Sequence, residues 1–132
     1  MTWTGPNPKP LPAAITRRRK RLAHDRKLAA AYAEVDLRDG GICWVTGRYT
    51  RSSPDPRFRR DHHHLRGRRV RPEYIYKPER IITTCAEAHR LITGGYIDVE
   101  GDDARRPLFF HWNATMPKGE EPFVIVGKRR TR

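Results

Sequence analysis

Acidic residues are the first shortage in this chain: 15 Asp and Glu stand against 28 Lys and Arg, a formal charge of +13. That balance excludes a protein built to bind cations over its surface and implies an anionic partner, a polyanion before a small acidic substrate. Cysteine is nearly absent, with two in 132 residues, which excludes a disulfide framework and a four-cysteine zinc site. Long apolar runs are missing too. The longest strand-like one is Phe123-Val124-Ile125-Val126, far short of the ~20 residues a membrane-spanning helix needs. Met1-Thr2-Trp3 leads into a polar, proline-rich stretch and not a hydrophobic secretory region. The expectation is a soluble protein of a reducing compartment, the cytoplasm. A hydrophobic content of 36% supports one small core and no second domain at this length.

What the chain does have is a concentration of imidazole. Asp61-His62-His63-His64-Leu65 sets three consecutive histidines beside a carboxylate, a poor packing solution, because such a run offers little apolar area and several groups that need partners. As a strand it turns Asp61 and His63 to one face and His62 and His64 to the other; a bulge or twisted end would bring successive residues into one cleft. Imidazole ligates divalent metals and moves protons near neutral pH, so neighbouring histidines can divide those tasks. Downstream, Arg80-Ile81-Ile82-Thr83-Thr84-Cys85 reads as a strand, and Cys85 to Ile92 as a short helix carrying His89 and ended by Gly94-Gly95.

Basic residues surround this stretch. Arg57, Arg59, Arg60, Arg66, Arg68, Arg69 and Arg71 flank the histidines with Asp61 the only acid between them. A second tract, Arg17-Arg18-Arg19-Lys20-Arg21, opens a helix expected over 16–38, with Thr16 as N-cap, Leu28, Tyr32 and Val35 at helical spacing and Asp39-Gly40-Gly41 as the stop. Cations at a helix N-terminus oppose its dipole at up to ~1 kcal/mol each. Such clusters read as phosphate contacts with strongly salt-dependent, largely sequence-independent affinity.

The remaining segments frame that centre. Pro6, Pro8, Pro10 and Pro12 make residues 1–15 an extended flexible arm, and residues 16–127 form one domain. Residues 47–56 are turn-rich. Beyond Gly95, strands are expected over 96–100, 107–112 and 123–126 as a small C-terminal sheet, before a basic tail at 128–132. His111 reads as a surface or structural histidine.

The segment from about Arg38 to Gly95 resembles the ββα-metal motif of HNH endonucleases, of the phage and mobile-element type and similar to the nuclease core of colicins. The matching lines are Arg38-Asp39-Gly40-Gly41-Ile42-Cys43-Trp44-Val45-Thr46-Gly47, Asp61-His62-His63-His64-Leu65, and Ile81-Ile82-Thr83-Thr84-Cys85 with His89. The resemblance implies an α+β fold: a ββα-metal core over 39–95 between the basic helix and the C-terminal sheet. It implies one divalent metal ion (Mg, Mn, Zn or Ni) held by His63 and His89 with Asp61 in support, His64 as general base, and hydrolysis of DNA phosphodiester bonds by nicking or double-strand cleavage. A second register takes Asp61 as the ligand and His62 as the base. Two positions depart from the family. Arg80 stands where relatives have Asn, and an Arg cannot ligate a cation though its fork of donors can hold phosphate as part of the catalytic set. Thr46 and Ala88 stand where two zinc-knuckle cysteines would be, so Cys43 and Cys85 remain as a residual knuckle or thiol pair. These departures leave open a catalytically weakened or inactive HNH-fold module that binds duplex DNA; a basic RNA-binding protein with an incidental His cluster is a third reading.

Overall fold

A computed structural model describes residues 12–65 and 72–126. Its first helix, α1, runs Ala13–Asp39, so the boundary expected at 15/16 moves: Ala13, Ala14 and Ile15 are helical. The cap is Pro12 and not Thr16, because the Pro12 carbonyl accepts from Ile15 N and Thr16 N at 3.0 and 3.1 Å. Proline lacks only an N–H that a helix start leaves unused, and two alanines then favour the helix. At the other end Gly40 adopts φ 61° and donates to the Asp36 carbonyl, the left-handed stop that its missing Cβ permits. Only Ala31, Val35 and Asp39 are buried on α1. Their spacing of four lays one stripe along its C-terminal third, while the N-terminal half stands in solvent.

Strands β1 (Arg60–His64) and β2 (Ile81–Cys85) pair antiparallel without a bulge, from Arg60 opposite Cys85 to His64 opposite Ile81. Helix α2 (Ala86–Thr93) follows β2 directly, capped by Cys85, whose Sγ accepts from Ala88 N. Every residue of β2 is buried. Because cross-strand partners share a face, Ile81 goes with His64 and meets Ala31 and Val35 of α1, whereas Ile82 goes with His63 and joins Ala88 and Leu91 of α2 in the larger core. Full burial of each such aliphatic side chain stabilises the fold by about 1.5–3 kcal/mol. The two-stranded sheet is thus wedged between two helices.

The outer edge of β2 needs partners for its backbone groups. Trp44 N donates to the Thr83 carbonyl at 3.0 Å, Asp39 Oδ2 accepts from Thr83 N at 3.0 Å, and Arg38 donates to the Ile81 carbonyl at 2.7 Å. Burial pushes the Asp39 carboxyl up, but the Arg38 guanidinium and the Thr83 N–H outweigh it and hold it below the usual carboxylate range. The end of α1 is thereby riveted to the sheet that carries the histidines.

Strands β3 (Ile97–Glu100) and β4 (Phe109–Trp112) form a second antiparallel pair. Gly101 turns between them at φ 104°, where an added Cβ would meet Leu108 at 2.6 Å. The expected third strand is not formed: 123–126 is irregular. Phe123 inserts into the core and Val126 N makes one bond to the Val45 carbonyl, which leaves β4 without a ladder on that side. Among the described residues the architecture is α+β with two small antiparallel sheets. Among the described residues no helix is long and apolar enough to cross a membrane. The 128–132 tail and most of the 1–15 arm lie outside the described residues.

Candidate active site

Strand alternation sorts the imidazoles by the helix they meet. On the α2 face, His89 sits one turn into α2 and its Nδ1 lies 2.7 Å from Asp61 Oδ2. A carboxylate accepts, so Nδ1–H donates and Nε2 is the nitrogen left to meet a ligand. The His63 ring meets His89 edge-on, with centroids 5.2 Å apart. Burial first, then the neighbouring His89 and His64, push His63 down to about 4 against the opposing pull of Asp61. His63 is therefore a neutral imidazole around pH 7, the form that ligates metals. The bond from His89 holds Asp61 below its ordinary range.

On the α1 face the partners differ. His62 lies flat on Tyr32, centroids 4.0 Å apart and planes 8° from parallel, with Nε2 2.8 Å from Asp36 Oδ1. Only 11% of its side chain is exposed. Asp36 also takes Arg60 at 3.1 Å. His64, the last residue of β1, places Nε2 3.0 Å from the Ile75 carbonyl and meets Tyr32 edge-on. A carbonyl can only accept, so His64 carries a proton on Nε2.

Asp61, His63 and His89 are therefore brought together, and His64 stands at the strand end on the opposite face. The bulge that would have turned His63 and His64 the same way is absent. Among the described residues no group of three or more His, Cys, Asp or Glu side chains forms a preformed metal cage. The donor set still fits one divalent cation of imidazole preference completed by water: two imidazole rings, one of them oriented by a carboxylate at its far nitrogen, the usual backing for a metal-bound histidine. Asp61 would act there through His89, whose Nδ1 its Oδ2 holds.

Arg80 takes a structural post. Its guanidinium bonds the Asp102 carbonyl at 2.9 Å and carboxylate at 3.2 Å and lies over Tyr74, so it ties the segment before β2 to the β3–β4 turn. Arg57 is paired with Asp55 and Arg60 with Asp36, which reduces their charge toward a phosphate. Arg59 lines an open pocket of about 470 Å³ together with Arg51 and Arg60. Arg66, Arg68, Arg69 and Arg71 lie outside the described residues. A second open cleft, about 420 Å³, is lined by Asp61, His89, Arg90 and Tyr96. Cys43 and Cys85 are buried thiols, each Sγ accepting a backbone N–H at 3.4 Å, from Thr46 and Ala88. The hydrogen bond between the two sulfurs holds Cys43 below and Cys85 above the usual thiol range.

No family model, curated protein or solved structure matches the chain.

Asp36, Ile75 and Arg51 are the neighbours that sequence reasoning missed. Asp36 had a signal: it follows Tyr32 by four on one helix face, beside the buried stripe. Arg51 was passed over as turn sequence. The Ile75 contact is made by backbone and left no trace in side-chain pattern. His111 is a surface residue near Asp98 and Glu100, as expected.

Proposed function

We propose that this protein is a metal-dependent endonuclease of HNH type that hydrolyses DNA phosphodiester bonds. The observation that carries the reading is the α2-face cluster: His63 neutral against His89, and His89 oriented by Asp61. A purely structural histidine pair has no need of an oriented tautomer beside an open cleft that ends in Arg90.

His63 and His89 would hold the cation, which when bound supplies Lewis-acid stabilisation of charge on the phosphate and the departing oxygen. The chain's own residues do the rest. His64 accepts a proton from water at Nδ1, while its Nε2–H stays on the Ile75 carbonyl and stabilises the imidazolium that forms. The water oxygen bonds to phosphorus as the P–O bond opposite it breaks. His62 is unsuited to this task because its ring is stacked on Tyr32 and bonded to Asp36, which supports the register with His64 as base over the one with His62. Because His63 and His64 point to opposite faces of β1, this reading requires the scissile phosphate to sit over the end of the strand. Exposed arginines around β1 and on α1 supply sequence-independent phosphate contacts.

The absence of a three-residue cage among the described residues, and Arg80 being engaged by Asp102, favour a second reading, a DNA-binding module without cutting. Supercoiled plasmid incubated with the protein and Mg, Mn, Zn or Ni decides. Nicked or linear product, abolished by chelator, is expected. Binding without product under every metal supports the second reading, and RNA binding without duplex DNA binding removes both.

A further inference from the structure

The N-terminal half of α1 has a feature the hydrolytic centre does not use. Arg17, Arg18, Arg19, Lys20 and Arg21 are all exposed on a continuous helix, and among the described residues none of them is in an ion pair. The helix does not float free. Its C-terminal third is riveted to β2 through Arg38 and Asp39, and its middle is braced where His24 meets the Tyr76 hydroxyl and Lys27 lies over the Tyr76 ring. The basic tract therefore sits at a fixed distance from the sheet.

That distance can be read along the helix axis. Tyr32 marks the site, because it touches both His62 and His64. Arg19 marks the centre of the tract. At about 1.5 Å rise per residue the two are about 20 Å apart on one helix. Duplex DNA presents a phosphate every ~3.4 Å along each strand, so 20 Å corresponds to at most about 6 base pairs. We infer that α1 is a one-sided ruler: its basic tract grips duplex DNA about half a helical turn from the phosphate held at β1, and only on one side of it. The occupant is duplex nucleic acid, since five consecutive cations set at 100° steps around a rigid helix present two or three of their number to a rigid array of phosphates on whichever side it lies. A single free phosphate would engage only one or two of them. The inference rests on the nuclease reading for where the bond is cut, but not for where the duplex is held.

Two measurements on the full chain separate these. Binding of blunt duplexes from about 6 to 20 base pairs, followed by anisotropy in EDTA, should strengthen by more than tenfold between about 6 and 12 base pairs for the native chain. Replacing Arg17→Gln, Arg18→Gln and Arg19→Gln together keeps helix propensity. It should remove that step and lower the slope of log affinity against log salt by about 2 to 3 on long duplexes. In the second measurement, an end-labelled duplex of about 40 base pairs is cut in the presence of metal. Cuts should be excluded within about 6 base pairs of one end of each strand, with the same polarity on both strands, and the triple variant should lose that exclusion. A smooth length dependence that the variant lowers equally at every length, or cutting up to both ends by the native chain, overturns the ruler and leaves the nuclease reading standing. A length step without any cutting does the reverse.

Discussion

On the face of β1 that meets α2, Asp61 and His63 stand beside His89; on the face that meets α1, His62 and His64 stand beside Tyr32. The side chains are the same, yet their roles differ with what each ring nitrogen touches. His63 is packed among other imidazoles and stays neutral. His62 is spent on a carboxylate and an aromatic face. His64 shares the α1 side with His62, but its Nε2–H is given to a carbonyl where His62 meets a carboxylate. Three identical residues in a row thus stand in three environments: alternation turns His63 to α2 and leaves His62 and His64 on the α1 side, where one ring meets a carboxylate and the other a carbonyl.

The largest effect should come from the base. His64→Ala is expected to lower plasmid cleavage by about 10²–10⁴-fold, the range for removing a positioned acid–base group, with circular dichroism and duplex affinity little changed. If His62→Ala is the dead variant and His64→Ala cuts normally, the roles of strut and base are exchanged.

Next come the α2-face rings. His63→Ala and His89→Ala should each abolish tight divalent binding, read by calorimetry with Zn or Ni, and cleavage should vanish with it. Retained binding in either variant breaks the assignment of that ring. Asp61→Asn should be milder, weakening divalent affinity by about 10–100-fold, as expected when the group backing a metal-bound histidine is altered. A loss as complete as that of His63→Ala would instead make Asp61 a direct ligand, the arrangement of the other register.

Much of this site was legible before the fold, because it depends on periodicities the backbone imposes. The two-residue alternation of Asp61 to His64, the strand from Ile81 to Cys85, and the helix that lifts His89 follow from local pattern. What stayed hidden was what lies across from each group. Arg80 reads in sequence as a phosphate donor; its engagement depends on Asp102 in a turn far along the chain and on Tyr74 beneath it. The strand expected at 123–126 has the right apolar run, but Val45 offers it one carbonyl and no ladder. Thr16 reads in sequence as the start of α1 because a hydroxyl is a common cap, whereas the Pro12 carbonyl suffices. The resemblance to HNH endonucleases implies a role for each histidine, and the fold shows which partner each ring meets.

The smallest effect tests the strut itself. His62 and Asp36 are both mostly buried and lie 2.8 Å apart, a hydrogen bond with at least one charged partner, for which removal costs about 1–3 kcal/mol. His62→Ala and Asp36→Ala should each destabilise the chain by that amount in urea denaturation. The double variant should fall short of the sum, with a coupling of about 0.5–2 kcal/mol, because the second substitution removes a bond already lost. Cleavage per folded molecule should stay within a few-fold of the native rate in all three. Asp36 should show no such coupling to His89, since the two lie on opposite sides of the sheet with different partners. A His62–Asp36 coupling expressed in the cleavage rate and not in stability would mean that this pair orients the base, and the division between the two faces of β1 would then be a shared catalytic unit.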